Sequence, residues 1–135
     1  EERINEFSSW QDFAKRAFSH RDKLLDILQE AAKEGKVVGY GASARSSTLL
    51  NFCGINSSLI SMIADQNPLK QKCFTAGTHI PIESPEGVMR MKPDYIVILA
   101  WNFAKEIEES LKNRFNYKGK LIIPLPKSPY IRELV

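Results

Sequence analysis

Lys36-Val37-Val38-Gly39-Tyr40-Gly41-Ala42-Ser43-Ala44-Arg45-Ser46-Ser47-Thr48-Leu49-Leu50-Asn51 is the stretch on which the fold turns. A short β-branched run ends in Gly39-x-Gly41-x-x-Ala44 and passes directly into a segment of helical composition. That order predicts a strand, a tight glycine turn and a helix N-terminus. Gly39 is expected to permit the turn, Gly41 to let a phosphate approach the backbone, and Ala44 to let the helix pack closely on the strand. The start of such a helix offers unpaired N–H groups and a partial positive charge to an anion. A nucleotide-phosphate site is therefore expected over Gly39, Tyr40, Gly41, Ala42, Ser43, Ala44 and Arg45.

Downstream, strand and helix patterns alternate. Gly54 is placed to close the helix that follows the glycine turn. Residues 59–64 read as a second buried strand ending at Asp65, broken by Asn67-Pro68. Residues 79–82 read as a short strand near a sheet edge, because Pro81 cannot donate to a ladder. Ser84-Pro85-Glu86 opens a short helix, with a serine cap and proline at the first helical position. Residues 94–100, Asp94-Tyr95-Ile96-Val97-Ile98-Leu99-Ala100, form the strongest strand and are expected to be buried on both faces. Asn102 is placed to cap a helix over residues 103–115. Residues 121–123 form the last strand, and Pro124-x-Pro126 leaves it as extended chain.

Upstream, residues 1–33 read as helix. Phe7, Trp10, Phe13, Ala14, Ala17 and Phe18 recur at spacings of three and four, and Leu24, Leu25, Ile27, Leu28 and Ala31 continue the stripe. Ser8 or Ser9 can cap a start near Trp10, Gly35 can stop the helix, and a shift of phase at Ser19-His20 suggests a bend there. The stripe is expected to pack on the domain's own sheet, the alternative being a partner interface. Together these elements predict an α/β, Rossmann-like three-layer domain with a mainly parallel sheet over residues 36–135. The helical segment of residues 1–35 packs on it, and the whole is one domain.

Composition bounds the class. With 135 residues, 43% hydrophobic and 26% charged, the chain is an ordinary globular domain with enough length for a core. A net charge of +3, with Lys and Arg mostly beside Asp and Glu, argues against nucleic acid as a partner. No apolar run approaches the roughly 18–20 residues of a membrane span, and no signal pattern opens the chain. Cys53 and Cys73 lack metal-ligand spacing and are expected to be free thiols in a reducing, cytoplasmic setting. Glu1 in place of a starting Met suggests a piece of a longer protein.

Ligands of parallel sheets bind beyond the C-terminal strand ends, where strand order reverses. Asp65 stands where dinucleotide folds place a ribose-binding carboxylate, or equally caps the Asn67-Pro68 turn. Lys70 and Arg45 are the nearest cations for a phosphate. His79 has no acid–base partner in the sequence, which favours a hydrogen-bonded structural role. Trp101-Asn102 either stack on a base and donate a hydrogen bond, or form a buried tryptophan and a helix cap. The residues by themselves suggest a binding surface with no catalytic constellation.

In combination these blocks resemble the C-terminal domain of sugar C-methyltransferases. Carrying the resemblance are Gly39 to Arg45, Thr48-Leu49-Leu50-Asn51-Phe52-Cys53-Gly54-Ile55 and Asp65-Gln66-Asn67-Pro68-Leu69-Lys70-Gln71. Gly77-Thr78-His79-Ile80-Pro81-Ile82, Ser84-Pro85-Glu86, Pro93-Asp94-Tyr95, Ala100-Trp101-Asn102-Phe103 and Ile123-Pro124-Leu125-Pro126 follow in order. The resemblance implies part of an S-adenosylmethionine-dependent enzyme that methylates a carbon of a nucleotide-linked deoxysugar. It further implies an N-terminal zinc-binding region and a central methyltransferase domain elsewhere in the enzyme. Neither is matched by these residues, so no catalytic residue and no metal ligand is carried over. The family often has Pro-Ala-Lys-Gly-Asn after the glycine turn, where this chain reads Ser43-Ala44-Arg45-Ser46-Ser47. Arg45 keeps the charge but presents a planar fork rather than a point ammonium.

The expected function is thus substrate holding. The turn would bind the diphosphate of a nucleotide-sugar, assisted by Asp65, Asn67 and Lys70, with His79, Trp101 and Asn102 at neighbouring strand ends. An NAD(P)-binding module and a docking domain without ligand are the alternatives.

Overall fold

Val37–Tyr40 (β1) is apolar or glycine at every position and lies in the middle of the sheet, buried along its whole length. The computed structural model describes residues 2–125 and 129–133, with side chains from Ser8 onward. After a long helix, Glu2–Glu34 (α1), and β1 come Ala44–Cys53 (α2), Ile63–Ala64 (β2) and Ile82–Glu83 (β3). Pro85–Met89 (α3), Tyr95–Ile98 (β4), a 3-10 turn Trp101–Phe103, Ala104–Phe115 (α4), Lys120–Ile123 (β5) and Tyr130–Glu133 (β6) complete the order. The strands are arranged β3-β2-β1-β4-β5-β6, all parallel except the antiparallel β5–β6 pair. Strand order reverses between β1 and β4, which opens a crevice beyond their C-terminal ends.

Alternation along the central strands divides the core. Val37, Ile63, Tyr95, Val97 and Ile122 face one layer, where Leu24, Leu28 and Ala31 of α1 and Leu50 and Cys53 of α2 cover them. Val38, Tyr40, Ala64, Ile96, Ile98 and Leu121 face the other, covered by Val88 of α3 and by Ile107 and Leu111 of α4. This is the three-layer α/β arrangement that the alternating pattern predicts. Ser84 caps α3 by accepting the Gly87 N–H at 3.1 Å, with Pro85 at its first position, and Gly54 closes α2 at φ +66°. β3 is an edge strand, as Pro81 beside it suggests.

Several local expectations change. α1 is one helix from Glu2 to Glu34, with no start at Trp10 and no break at Ser19-His20. Its aromatic stripe does not pack on the sheet: Trp10 is 65% exposed, Phe13 63% and Phe18 47%, whereas Leu24 and Leu28 are fully buried. The second strand shrinks to two residues because Asn56 turns the chain, its carbonyl accepting the N–H groups of both Leu59 and Ile60. The third begins at Ile82, since His79 at φ +57° lies in a turn. Asn102 does not cap α4; it lies inside the 3-10 turn, and the cap position is Phe103, which makes no side-chain bond. β6 is an addition, its four residues all exposed and held by pairing with β5. Pro126 lies outside the described residues.

The roles within the glycine motif are also redistributed. Gly39 stays inside β1; a Cβ there would stand 2.8 Å from the Leu99 side chain, so its task is to admit Leu99 and not to turn the chain. Gly41 makes the turn at φ +98°. Its missing Cβ would point at Ala100, 2.6 Å from that Cβ, so glycine is required by the protein's own packing. Ala42, 8% exposed, is the small residue packed in the core, while Ala44 is exposed at the start of α2.

Cys53 is buried, Cys73 exposed, and both are free. Burial pushes the Cys53 thiol up to about 11, the Arg21 charge opposing only weakly. Ellman's reagent is expected to titrate Cys73 at once and Cys53 at least about 100-fold more slowly, because attack requires thiolate and access. Equal rates would show that α1 does not cover Cys53. Among the described residues no helix is long and apolar enough to cross a membrane.

Candidate functional site

The loop from Gly41 to Ser46 is held by its own side chains and by two residues from beyond β2. Ser43 sits in extended backbone and caps α2 by accepting the Ser46 N–H at 3.2 Å. Ser46, only 1% exposed, donates through its hydroxyl to the Gly41 carbonyl at 2.7 Å. Asp65 accepts the Ala42 N–H at 2.8 Å on one oxygen and the Asn67 N–H at 2.8 Å on the other. Lys70 donates from Nζ to the Ala42 carbonyl. Gln71 donates to the Asp65 carbonyl at 2.9 Å, tying this bracing to the loop after β2. Both polar groups of Ala42 are thus engaged within the protein.

What remains open is the first turn of α2. The N–H groups of Ala44 and Arg45 precede any intrahelical acceptor, and no other described residue bonds them. Arg45 is exposed and forms no ion pair among the described residues. A ten-residue helix, two outward N–H groups and one guanidinium together favour an anion with several oxygens.

Three depressions surround this turn. One of about 200 Å³ lies between α2 and the 74–76 segment and includes Ala42, Ser43, Ala44, Lys70 and Phe74. A slot of about 390 Å³ runs between Ala44, Arg45, Thr48, Phe52, Trp101 and Leu125. A third, about 290 Å³, lies over the crevice between Tyr40, Gly41, Asp65, Ala100 and Phe103. Of the expected site residues, the structure gathers Tyr40, Gly41, Ala42, Ser43, Ala44, Arg45, Asp65, Lys70 and Trp101 around the turn. Gly39 is buried within β1. Asn67 accepts the Leu69 N–H at 3.0 Å and serves its own loop. His79 is exposed and stacks on Phe74 with ring centroids 4.2 Å apart. Asn102 is exposed and lines none of the three.

Sequence reasoning missed Ser46 and Phe74. For Ser46 a signal exists: Ser43 and Ser46 stand three apart, the spacing of a helix cap and its N3 residue. Phe74 has none, because it reaches the turn through the irregular segment after β2.

A larger cavity, about 730 Å³, opens at the other end of the sheet among Glu34, Asp94, Tyr95, Tyr117, Lys120 and Glu133. It lies at the N-terminal strand ends, and its phenols are engaged. Tyr95 donates to the Glu34 carboxylate, and Tyr117 donates to the Lys120 carbonyl at 3.0 Å. The Glu34 hydrogen bond, then burial and nearby carboxylates, push Tyr95 up to about 12, and burial raises Tyr117 further. Folding therefore favours the neutral phenols. Their contribution is full below pH about 10 and is lost as pH rises through about 12. Urea melts at pH 9 and 11.5 are expected to show this fall, and Tyr95→Phe to flatten it; an unchanged fall would acquit Tyr95. Among the described residues no group of three or more His, Cys, Asp or Glu side chains is placed to hold a metal.

Comparison with known proteins gives two matches. Residues 1–126 match the family described as C-methyltransferase C-terminal domain. Over 119 residues the chain is 37% identical to C-methyltransferase NovU of Streptomyces niveus, a span of 87% of this chain and 28% of that protein.

Proposed function

Because the chain belongs to the C-methyltransferase C-terminal domain family, we propose that it holds the substrate of an S-adenosylmethionine-dependent enzyme that methylates a carbon of a nucleotide-linked deoxysugar. The diphosphate binds at the first turn of α2, and the nucleoside lies along the depressions beside it. One observation carries this reading. Asp65, Lys70 and Ser46 brace the loop on both sides of Ala42, which leaves the N–H groups of Ala44 and Arg45 and the Arg45 side chain directed to an anion. The chain's contribution to the reaction is positioning, which lowers the entropic part of the barrier to methyl transfer.

S-Adenosylmethionine supplies the methyl group and is assigned to another domain. The carboxylate at the end of β2, where a nucleoside cofactor would place its ribose, already accepts two backbone N–H groups. The same commitment of Asp65 weighs against an NAD(P) module.

Calorimetric titration with dTDP, inorganic pyrophosphate and NAD tests the reading. dTDP is expected to bind with Kd on the order of 100 µM, about −5.5 kcal/mol, and Arg45→Ala to weaken dTDP and pyrophosphate alike by about tenfold. Absence of dTDP binding up to millimolar concentration, or a preference for NAD, would overturn it.

A further inference from the structure

Trp10, Ala14, Ala17, Arg21, Leu24, Leu28 and Ala31 share one face of α1 at alternating spacings of four and three, with Phe13 and Phe18 to either side. From Leu24 onward this face is buried against the sheet. Before Leu24 the cover thins: Ala14, Ala17 and Arg21 are half-buried, while Trp10 is 65% and Phe13 63% exposed. A 33-residue helix extends about 50 Å, and only its part from Leu24 onward contributes buried side chains to the core under the sheet. An isolated segment of its first half is marginally stable in water, and an apolar stripe without cover adds to that cost.

The uncovered surface does not end on α1. The Phe18 ring stacks on Phe52 of α2 at 5.9 Å, and the Arg21 guanidinium lies 4.9 Å from the first ring and 5.9 Å from the second. Phe52, 44% exposed, is itself a wall of the slot that contains Arg45 and Trp101. Trp10, Phe13, Phe18 and Phe52 are thus all substantially exposed, and large aromatic side chains are enriched at interfaces.

We infer that this surface seats another domain of the same enzyme, the one that carries the methyl donor. Two observations select that occupant. The chain spans 28% of the relative's length, so most of that enzyme's polypeptide lies outside the matched region. Phe18 also stacks on Phe52, which is a wall of the slot beside Arg45, so a domain seated over these rings faces whatever the slot holds. Docking and closure over the site are then one event.

Hydrogen exchange compares the 135-residue chain with the complete enzyme that contains it. Amides of residues 9–20 are expected to exchange at least about 100-fold more slowly in the complete enzyme; equal rates overturn the inference. Light scattering on the 135-residue chain is expected to give a monomer. A dimer abolished by Trp10→Glu would assign the face to a second copy instead. In the complete enzyme, Trp10→Glu with Phe13→Glu is expected to lower kcat/KM about tenfold or more. The same changes leave dTDP binding by the 135-residue chain within about twofold, because neither residue touches the turn. Unchanged kcat/KM overturns the docking role. Loss of dTDP binding by the unmodified chain would strike the proposed function and leave the exchange result to judge the docking.

Discussion

Gly41→Ala is expected to be strongly destabilising, because strain and clash fall on the same added methyl group. The residue sits at φ +98°, where a Cβ is strained, and the new methyl would stand 2.6 Å from the Ala100 Cβ and 3.1 Å from its backbone nitrogen. Backbone strain of about 1–2 kcal/mol and a packing clash of about 1–3 kcal/mol add at one atom, because a backbone neighbour cannot swing aside. The expected loss is about 3–4 kcal/mol, or roughly 10 °C in Tm, with dTDP affinity falling in parallel as the loop shifts. Gly54→Ala is the internal control: φ is +66° there, but nothing lies within 4 Å of the added carbon. Its cost is expected to be about 1 kcal/mol, with dTDP affinity unchanged. Thermal melts of the two variants side by side separate strain from clash. Equal losses would show that Ala100 does not press on the turn.

Asp65→Asn is expected to have the next largest effect, and it distinguishes two roles for that side chain. The amide can accept one N–H and presents its own NH₂ to the other, so either the Ala42 or the Asn67 N–H loses its acceptor. The expected cost is about 1–3 kcal/mol in stability. Because Asp65 acts through the Ala42 peptide, dTDP and inorganic pyrophosphate are expected to weaken together, by about tenfold. A carboxylate that held a ribose would give the opposite result, weakening nucleotides and sparing pyrophosphate. That outcome would return the crevice to a dinucleotide-type reading.

The limits of the sequence are clearest at these residues. Asp65 and Lys70 are visible as a carboxylate and a cation following the second strand, and both reach the glycine turn. Their engagement with the two polar groups of Ala42 is a matter of distances across 23 and 28 residues of chain, which no local pattern encodes. His79 and Asn102 looked equally eligible because a strand end was expected to present them. A positive φ at His79 and a 3-10 turn at Asn102 instead set them outside the linings of the three depressions.

The order of amino acids is enough for the strand–turn–helix at residues 36–51, the alternation of strands and helices, the caps at Ser84 and Gly54, and a helical, apolar-striped segment over residues 1–33. These are local matters: side-chain periodicity, backbone freedom and capping act over a few residues, so they leave a trace in the order of amino acids. Only the tertiary structure decided that Gly39 makes room while Gly41 turns. It also decided that β6 pairs with β5 although all its residues are exposed, and that the apolar face of α1 is covered from Leu24 onward while Trp10, Phe13 and Phe18 before it stay exposed. Each of these depends on which distant surface arrives. An apolar stripe records that burial is favourable, and the length of the sheet beneath it decides how much of the stripe this chain can bury for itself.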